Sequence, residues 1–351
     1  MFQFLCKVLI KAIFILPAIA SAAEPEKLYL GEGSITELAF EQFNGTDKHI
    51  TLNGVAKLTI DEFSQSEEER TILRLTPRLP NSDGHIAGSA YAKYPLKGFR
   101  IGYPFSTFFR YRVTASNVYD GSGMVFAIHS DKREDKALGK CKFCMGFSGN
   151  ALIGRSVKPS VGIEFDIYLN AKDYDYNMVG LNFHGSKVSR YIHTGAFLPN
   201  SRTETIESPY TERPINNGIP WNVWIDFDGT VIEVRSSQQN YRADATLHLR
   251  REVNMRDAMS LRKQKGEEIE PIVFVGFSAD PGLYPAYTDI LQWYFRPCHA
   301  PYGDYVGDIV DQKEREAKKG EDVICFKEGL GRGTIDRNIE DISPPTGGGV
   351  E

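Results

Sequence analysis

The chain is poor in cysteine, with five in 351 residues. That excludes a cysteine-rich scaffold, and the single Cys-x-x-Cys has no second copy with which to build a zinc site. Charge of either sign is in no excess: 41 basic and 46 acidic residues give a net charge of −5. No basic stretch offers a nucleic-acid surface. Beyond the first 22 residues no apolar run approaches the length of a membrane span. No Gly-x-Ser-x-Gly elbow supports a serine hydrolase, no βαβ pattern supports a redox role for the Cys-x-x-Cys, and no internal repeat appears. Helical periodicity is almost missing, confined to Asn254–Lys265 and Val306–Lys319.

The N-terminus carries Lys7 and Lys11, an apolar run to Ala20, and a small-x-small Ala20-Ser-Ala22. This reads as a secretory signal peptide over 1–22 and predicts a secreted or periplasmic protein with no membrane span after its removal. Four cysteines then remain: Cys141, Cys144, Cys298 and Cys325. An even count in an exported chain predicts disulfides, with three connectivities open. The preferred pairing is Cys141–Cys144 and Cys298–Cys325. The second would tie down a C-terminal extension, 298–351, and contribute roughly 3 kcal/mol by closing its loop. The last nine residues, Ser343 to Glu351, have a disordered composition.

Between these ends the chain is rich in glycine (32) and aromatics (12%), a composition of strands and turns. Phe105–Val113, Gly123–Ile128, Pro271–Ser278 and Ile290–Phe295 read as strands. Trp221–Phe227, a tight Asp228-Gly229 and Val231–Arg235 read as a hairpin. Strands at this density over 24–297 predict an all-β antiparallel sandwich with a short C-terminal appendage.

One segment concentrates chemistry. Val161-Gly-Ile-Glu-Phe-Asp-Ile-Tyr-Leu-Asn170, followed by Asp173 and Asp175, sets Glu164 and Asp166 on one face of an apolar strand, because alternate residues share a face. The strand then runs into a polar loop. Several oxygen ligands converging at about 2.3–2.6 Å suit a hard cation such as calcium.

Taken in order, the motifs resemble the legume-type (L-type) lectin domain, the family of concanavalin A and its bacterial and secretory-pathway relatives. They are Phe43-Asn-Gly with Ile50–Ala56, Leu73-Arg-Leu-Thr-Pro77, Gly88-Ser-Ala-Tyr91, Asp120–Phe126, Val161–Asn170, Val179-Gly-Leu181, Val275–Ala279 and Asp289–Phe295. The resemblance implies a concanavalin A-like sandwich (jelly roll) that binds glycans or glycoproteins without catalysis. It implies calcium held by Asp166, the Tyr168 carbonyl, Asn170 and Asp173, with Glu164 on a second, transition-metal site. Asp120, Asn170 and Tyr168 would be the carbohydrate-binding residues. A homo-oligomer is left open.

The sequence departs from the family pattern at three places. Met178 replaces the expected histidine, and a thioether is a poor ligand for a manganese-like ion, so calcium is expected and Mn2+ is doubtful. His184 is a candidate substitute and Asp175 a competing ligand. Ser122 stands where the sugar-binding aspartate belongs, with Asp120 two residues earlier. Thr288 replaces a loop histidine, near Tyr284 and Tyr287. Two alternatives follow: a lectin-fold structural or adhesion module that has lost sugar binding, and a β-glucanase-like hydrolase. The hydrolase needs two carboxylates about 5–5.5 Å apart, yet Tyr168 and Leu169 occupy the second position.

Overall fold

The computed structural model describes residues 37–64, 69–79, 86–95, 102–115, 121–139, 143–149, 156–167, 178–185, 191–193, 215–258, 272–282, 285–306 and 309–310. In chain order the strands are β1 (Leu38–Phe40), β2 (Ile50–Gly54), β3 (Lys57–Ile60), β4 (Thr71–Thr76), β5 (Gly88–Ala92), β6 (Phe105–Thr114), β7 (Gly123–His129), β8 (Ser160–Asp166), β9 (Met178–Phe183), β10 (Tyr191–His193), β11 (Trp221–Phe227), β12 (Val231–Ser237), β13 (Thr246–Glu252), β14 (Phe274–Asp280) and β15 (Tyr287–Arg296).

They form two antiparallel sheets. The front sheet runs β10-β9-β8-β7-β14-β5-β2, and the back sheet runs β13-β12-β11-β6-β15-β4-β3 with β1 beside β15. The predicted strands and hairpin recur as β6, β7, β11, β12, β14 and β15; β14 begins three residues later than Pro271. The helical expectations fare differently. Within 254–265 one turn of helix, Met255–Ala258, is seen. At the start of 306–319, Tyr305–Val306 pairs antiparallel with Ile309–Val310, and residues from 311 on lie outside the described residues. Among the described residues no helix is long and apolar enough to cross a membrane.

Alternation explains the sandwich. Along β8, Val161, Ile163 and Phe165 enter the shared core, as do Met124, Phe126 and Ile128 of β7 and Phe105, Phe109, Tyr111 and Val113 of β6. Aromatic rings carry the contact across the gap. Phe109 of the back sheet meets Phe126 and Phe277 of the front sheet at 6.0 and 5.0 Å, and Trp293 meets Phe277 edge-on at 4.9 Å. Such pairs add about 0.5–1.5 kcal/mol beyond their area burial.

Both outer faces are partly covered by the chain's own segments. On the front sheet, Ala137, Met145, Phe147 and Val157 pack on Tyr91, Val125 and Ala127. Gly162 makes room for this cover: a Cβ there would lie 2.7 Å from Phe147. On the back sheet, Tyr302 and Ala245 pack on Phe108, Trp224 and Tyr294.

Candidate functional site

Glu164 and Asp166 lie at the end of β8, on the face turned away from the core, and both are buried, at 2% and 3% exposure. Their partners across the sheet follow from register. Asp166 is level with Gly123 on one side and Met178 on the other. Gly123 is in turn level with Asp280. One row therefore reads Asp280, Gly123, Asp166, Met178 across four strands. Gly123 has φ +119, and a Cβ there would sit 2.2 Å from the Phe165 carbonyl oxygen. Only glycine tolerates that combination, and it lets β7 close up on β8 beside Asp166.

Glu164 is committed in part. The Asn182 side chain donates from Nδ2 to its Oε2 at 2.6 Å. Asn182 lies two residues beyond Gly180, the residue level with Glu164, on the same face of β9. A buried carboxylate is costly unless it is hydrogen-bonded, paired or bound to a metal. Two on adjacent same-face positions offer hard oxygen donors, which fit calcium. Met178, 1% exposed and level with Asp166, brings sulfur to the same row. His184 does not replace it. It sits opposite Ser160 in the turn after β9, six residues along the strand from Asp166, or about 20 Å at strand rise.

Among the described residues no group of three or more His, Cys, Asp or Glu forms a metal cluster. The remaining expected ligands, Tyr168, Asn170 and Asp173, lie outside the described residues, as do Asp120, Asp175, Tyr284, Cys141 and Cys325.

The surrounding rim is built around Asp280, which none of the sequence motifs singled out. Its carboxylate is fully buried and accepts the backbone N–H groups of Cys144 (2.7 Å), Met145 (2.6 Å) and Gly282 (2.8 Å). The Ser122 side chain also bonds to it. Burial pushes its pKa up to about 6, and these hydrogen bonds only partly oppose that. Three consequences follow. Ser122 is tied inward. The amides of 144 and 145 are already used. The 143–147 turn is fixed to the end of β14. The signal in the sequence was an acid at a strand end directly before Pro281-Gly282.

The other loop positions are occupied elsewhere. Thr288 is 2% exposed inside β15, and its N–H donates to Thr76 Oγ1 at 3.1 Å. Tyr287 stacks on the Arg74 guanidinium at 3.9 Å. Cys144 and Cys298 are buried and each is in a disulfide; the pairing lies outside the described residues.

The legume lectin domain profile matches residues 36–302. In sequence the chain is similar to L-type lectin-domain containing receptor kinase I.7 of Arabidopsis thaliana, 23% identical over 265 residues, covering 74% of this chain and 35% of that one. It is also 22% identical over 241 residues to the probable receptor kinase I.2 of the same plant, covering 68% and 34%. The chain thus spans about a third of the length of these curated relatives. In structure it is similar to winged bean acidic lectin complexed with methyl-α-D-galactose, at TM-score 0.51 and 19% identity, covering 74% of this chain and 96% of that one. It is likewise similar to lectin I of Ulex europaeus in complex with the methyl glycoside of α-L-fucose, at TM-score 0.50 and 18% identity, covering 74% and 96%.

Proposed function

The chain belongs to the legume lectin domain family, and on that footing we propose that it is a calcium-dependent carbohydrate-binding protein that holds glycans at the rim of the front sheet without altering them. The observation that carries this reading is the buried Glu164–Asp166 pair at the end of β8, facing out of the core beside the Asp280-anchored rim. Asp166, Asn170, Asp173 and the Tyr168 carbonyl would hold the cation. Asn170, with Asp120, would present hydrogen-bonding atoms to sugar hydroxyls. The cation supplies rigidity: it cancels the buried charge and fixes the loop after β8, so that the polar floor is preset before a sugar arrives.

One cation fits this chain better than two. A manganese-like ion prefers carboxylate and imidazole, whereas Met178 offers a thioether and Glu164 already accepts from Asn182. The packed cover on the outer front face, where Ala137, Met145, Phe147 and Val157 bury Tyr91, Val125 and Ala127, further disfavours a glucanase-like reading. On the N-terminal segment we propose export, and on the motif order a lectin domain ending near residue 297.

The test is thermal unfolding with calcium, with manganese and with chelator. A ligand that binds only the folded state stabilises it by about 2.7 kcal/mol at a hundredfold excess over Kd. A calcium-specific rise is expected in the wild type and its loss in Asp166→Ala. Asp166→Ala and Asn170→Ala should each abolish glycan binding on an array, and intact glycan binding by Asp166→Ala would sink the assignment.

A second reading, a lectin fold kept as an interaction module, draws on Ser122, Thr288 and the 144–145 amides, all occupied within the chain. No response to either metal would favour it.

A further inference from the structure

Three asparagines in the chain are followed directly by glycine: Asn44-Gly45, Asn53-Gly54 and Asn217-Gly218. This dipeptide is chemically labile. The glycine nitrogen, once it gives up its proton, attacks the asparagine side-chain carbonyl and expels ammonia. Water then opens the resulting succinimide to aspartate or isoaspartate. Glycine puts no side chain in the path of the attack. The reaction needs a side-chain amide free to swing onto that nitrogen, and a nitrogen not already engaged in a hydrogen bond.

Two of the three are held. The Asn53 side chain, on β2, donates from Nδ2 to Ser89 Oγ at 3.1 Å and to the Asp135 carbonyl at 2.8 Å. Its main chain is paired as well, with Asn53 level with Ser89 and Gly54 with Gly88. A Cβ on Gly54 would lie 2.0 Å from the Ala87 carbonyl oxygen, so the backbone there is closely packed. Asn217 is held at both reacting ends. Its Oδ1 accepts from the Ile219 N–H at 2.9 Å and from Gln238 Nε2 at 3.2 Å, and the Gly218 N–H donates to the Val113 carbonyl at 2.9 Å.

Asn44 differs. It and Gly45 are exposed in the turn between β1 and β2. Among the described residues no hydrogen bond holds the Asn44 side chain or the Gly45 N–H. A Cβ on Gly45 would meet nothing within 4 Å. The residues on either side are fixed. Phe43 is fully buried, and its N–H donates to the Thr71 carbonyl at 2.8 Å. Thr46 is also fully buried, and its hydroxyl donates back to the Phe43 carbonyl at 2.8 Å.

We propose that Asn44 is the site at which this protein deamidates while folded, with water as the only co-reactant, and that the isoaspartate product loosens the Phe43–Thr46 turn while the aspartate product does not. Aspartate changes only an exposed side chain. Isoaspartate routes the backbone through the side chain and adds a methylene between two buried anchors. The Thr46–Phe43 hydrogen bond and the seat of Phe43 against Phe40, 5.7 Å away, cannot then both be kept. The change falls at the end of the sandwich opposite the rim. Ile50, at the start of β2, is level with Ala92, whereas Gly54 is level with Gly88, which pairs with Ala279 beside Asp280.

The test is peptide mapping by mass spectrometry of the folded, full chain during mildly alkaline incubation, with isoaspartate counted by isoaspartyl methyltransferase labelling. A parallel sample in denaturant gives the rates without structure. In the folded chain Asn44 is expected to convert at least about tenfold faster than Asn53 or Asn217, a factor that one retained hydrogen bond can supply. In denaturant the three rates should converge. Asn53 or Asn217 converting as fast as Asn44 in the folded chain overturns the site. The separated isoaspartate form should unfold at lower denaturant than the fresh chain, and Asn44→Asp at the same denaturant. An isoaspartate form as stable as Asn44→Asp overturns the loosening of the turn.

Discussion

His129 shows how much a single buried side chain can couple stability to pH. It is fully buried on the outer face of the front sheet, between Tyr91 (4.4 Å, edge-on) and Phe274 (5.8 Å, stacked). Burial pushes its pKa down to about 3; Asp131 nearby opposes this and Arg133 reinforces it. The ring is therefore neutral when folded, while the unfolded chain takes up a proton near pH 6.5. The sign follows: the stability contribution is intact above pH 6.5 and is lost as pH falls towards 3, by a few kcal/mol. Asp280 works the other way. Its folded pKa of about 6 exceeds the unfolded value of 3.8, so its contribution is largest below pH 3.8 and is lost as pH rises through 6. Denaturant titrations of His129→Phe and wild type between pH 7 and 4 separate the two. The variant should lose less stability on acidification, and parallel curves would refute the assignment. Neither role could be read from the sequence, because His129 and Asp280 are ordinary strand residues until folding takes their water away.

At the scale of elements, the turn from Asp61 to Ser64 after β3 is held by charge. Asp289, fully buried in β15, accepts from Arg74 Nε at 2.8 Å and from Arg112 Nη2 at 3.1 Å. Arg112 also pairs with Asp61, and Arg74 with Glu62 at 2.8 Å. Phe63 lies over both guanidiniums, at 5.8 and 5.0 Å. Burial alone would lower the Arg74 pKa, but Asp289 and Glu62 more than reverse that. Asp289→Ala would leave two buried guanidiniums short of a partner and should cost about 3–5 kcal/mol. Glu62→Ala, whose carboxylate is half exposed, should cost less than about 1 kcal/mol. Equal losses in chemical denaturation would show that the buried carboxylate is not the keystone. The strands that hold this turn were legible: Phe105–Val113 and Ile290–Phe295 announce themselves by composition. The short edge strands β1, β3 and β10 did not, since three or four residues carry too little alternation. The helical reading of Val306 onwards is overturned only at Val306, Ile309 and Val310, which pair as short strands; the rest of it lies outside the described residues.

For the whole molecule, the order of motifs from Phe43 to Phe295 gave the sandwich, and alternation along β8 set Glu164 and Asp166 on its outer face. What stayed hidden was the chain's use of itself as cover. Nothing in the local pattern of Cys144, Met145 or Tyr302 tells which sheet face each will cap, because capping depends on contacts made across long stretches of chain. That arrangement has an optical consequence. The three tryptophans, Trp221, Trp224 and Trp293, all belong to β11 and β15 of the back sheet, and all are buried. Intrinsic emission should therefore be blue-shifted and nearly blind to a saccharide arriving at the rim of the other sheet. It should redden when Tyr302 and Gly303, which cover Trp224, are displaced. One spectrum, recorded during a sugar titration and again for Tyr302→Ser, would read the back of the molecule while leaving its front dark.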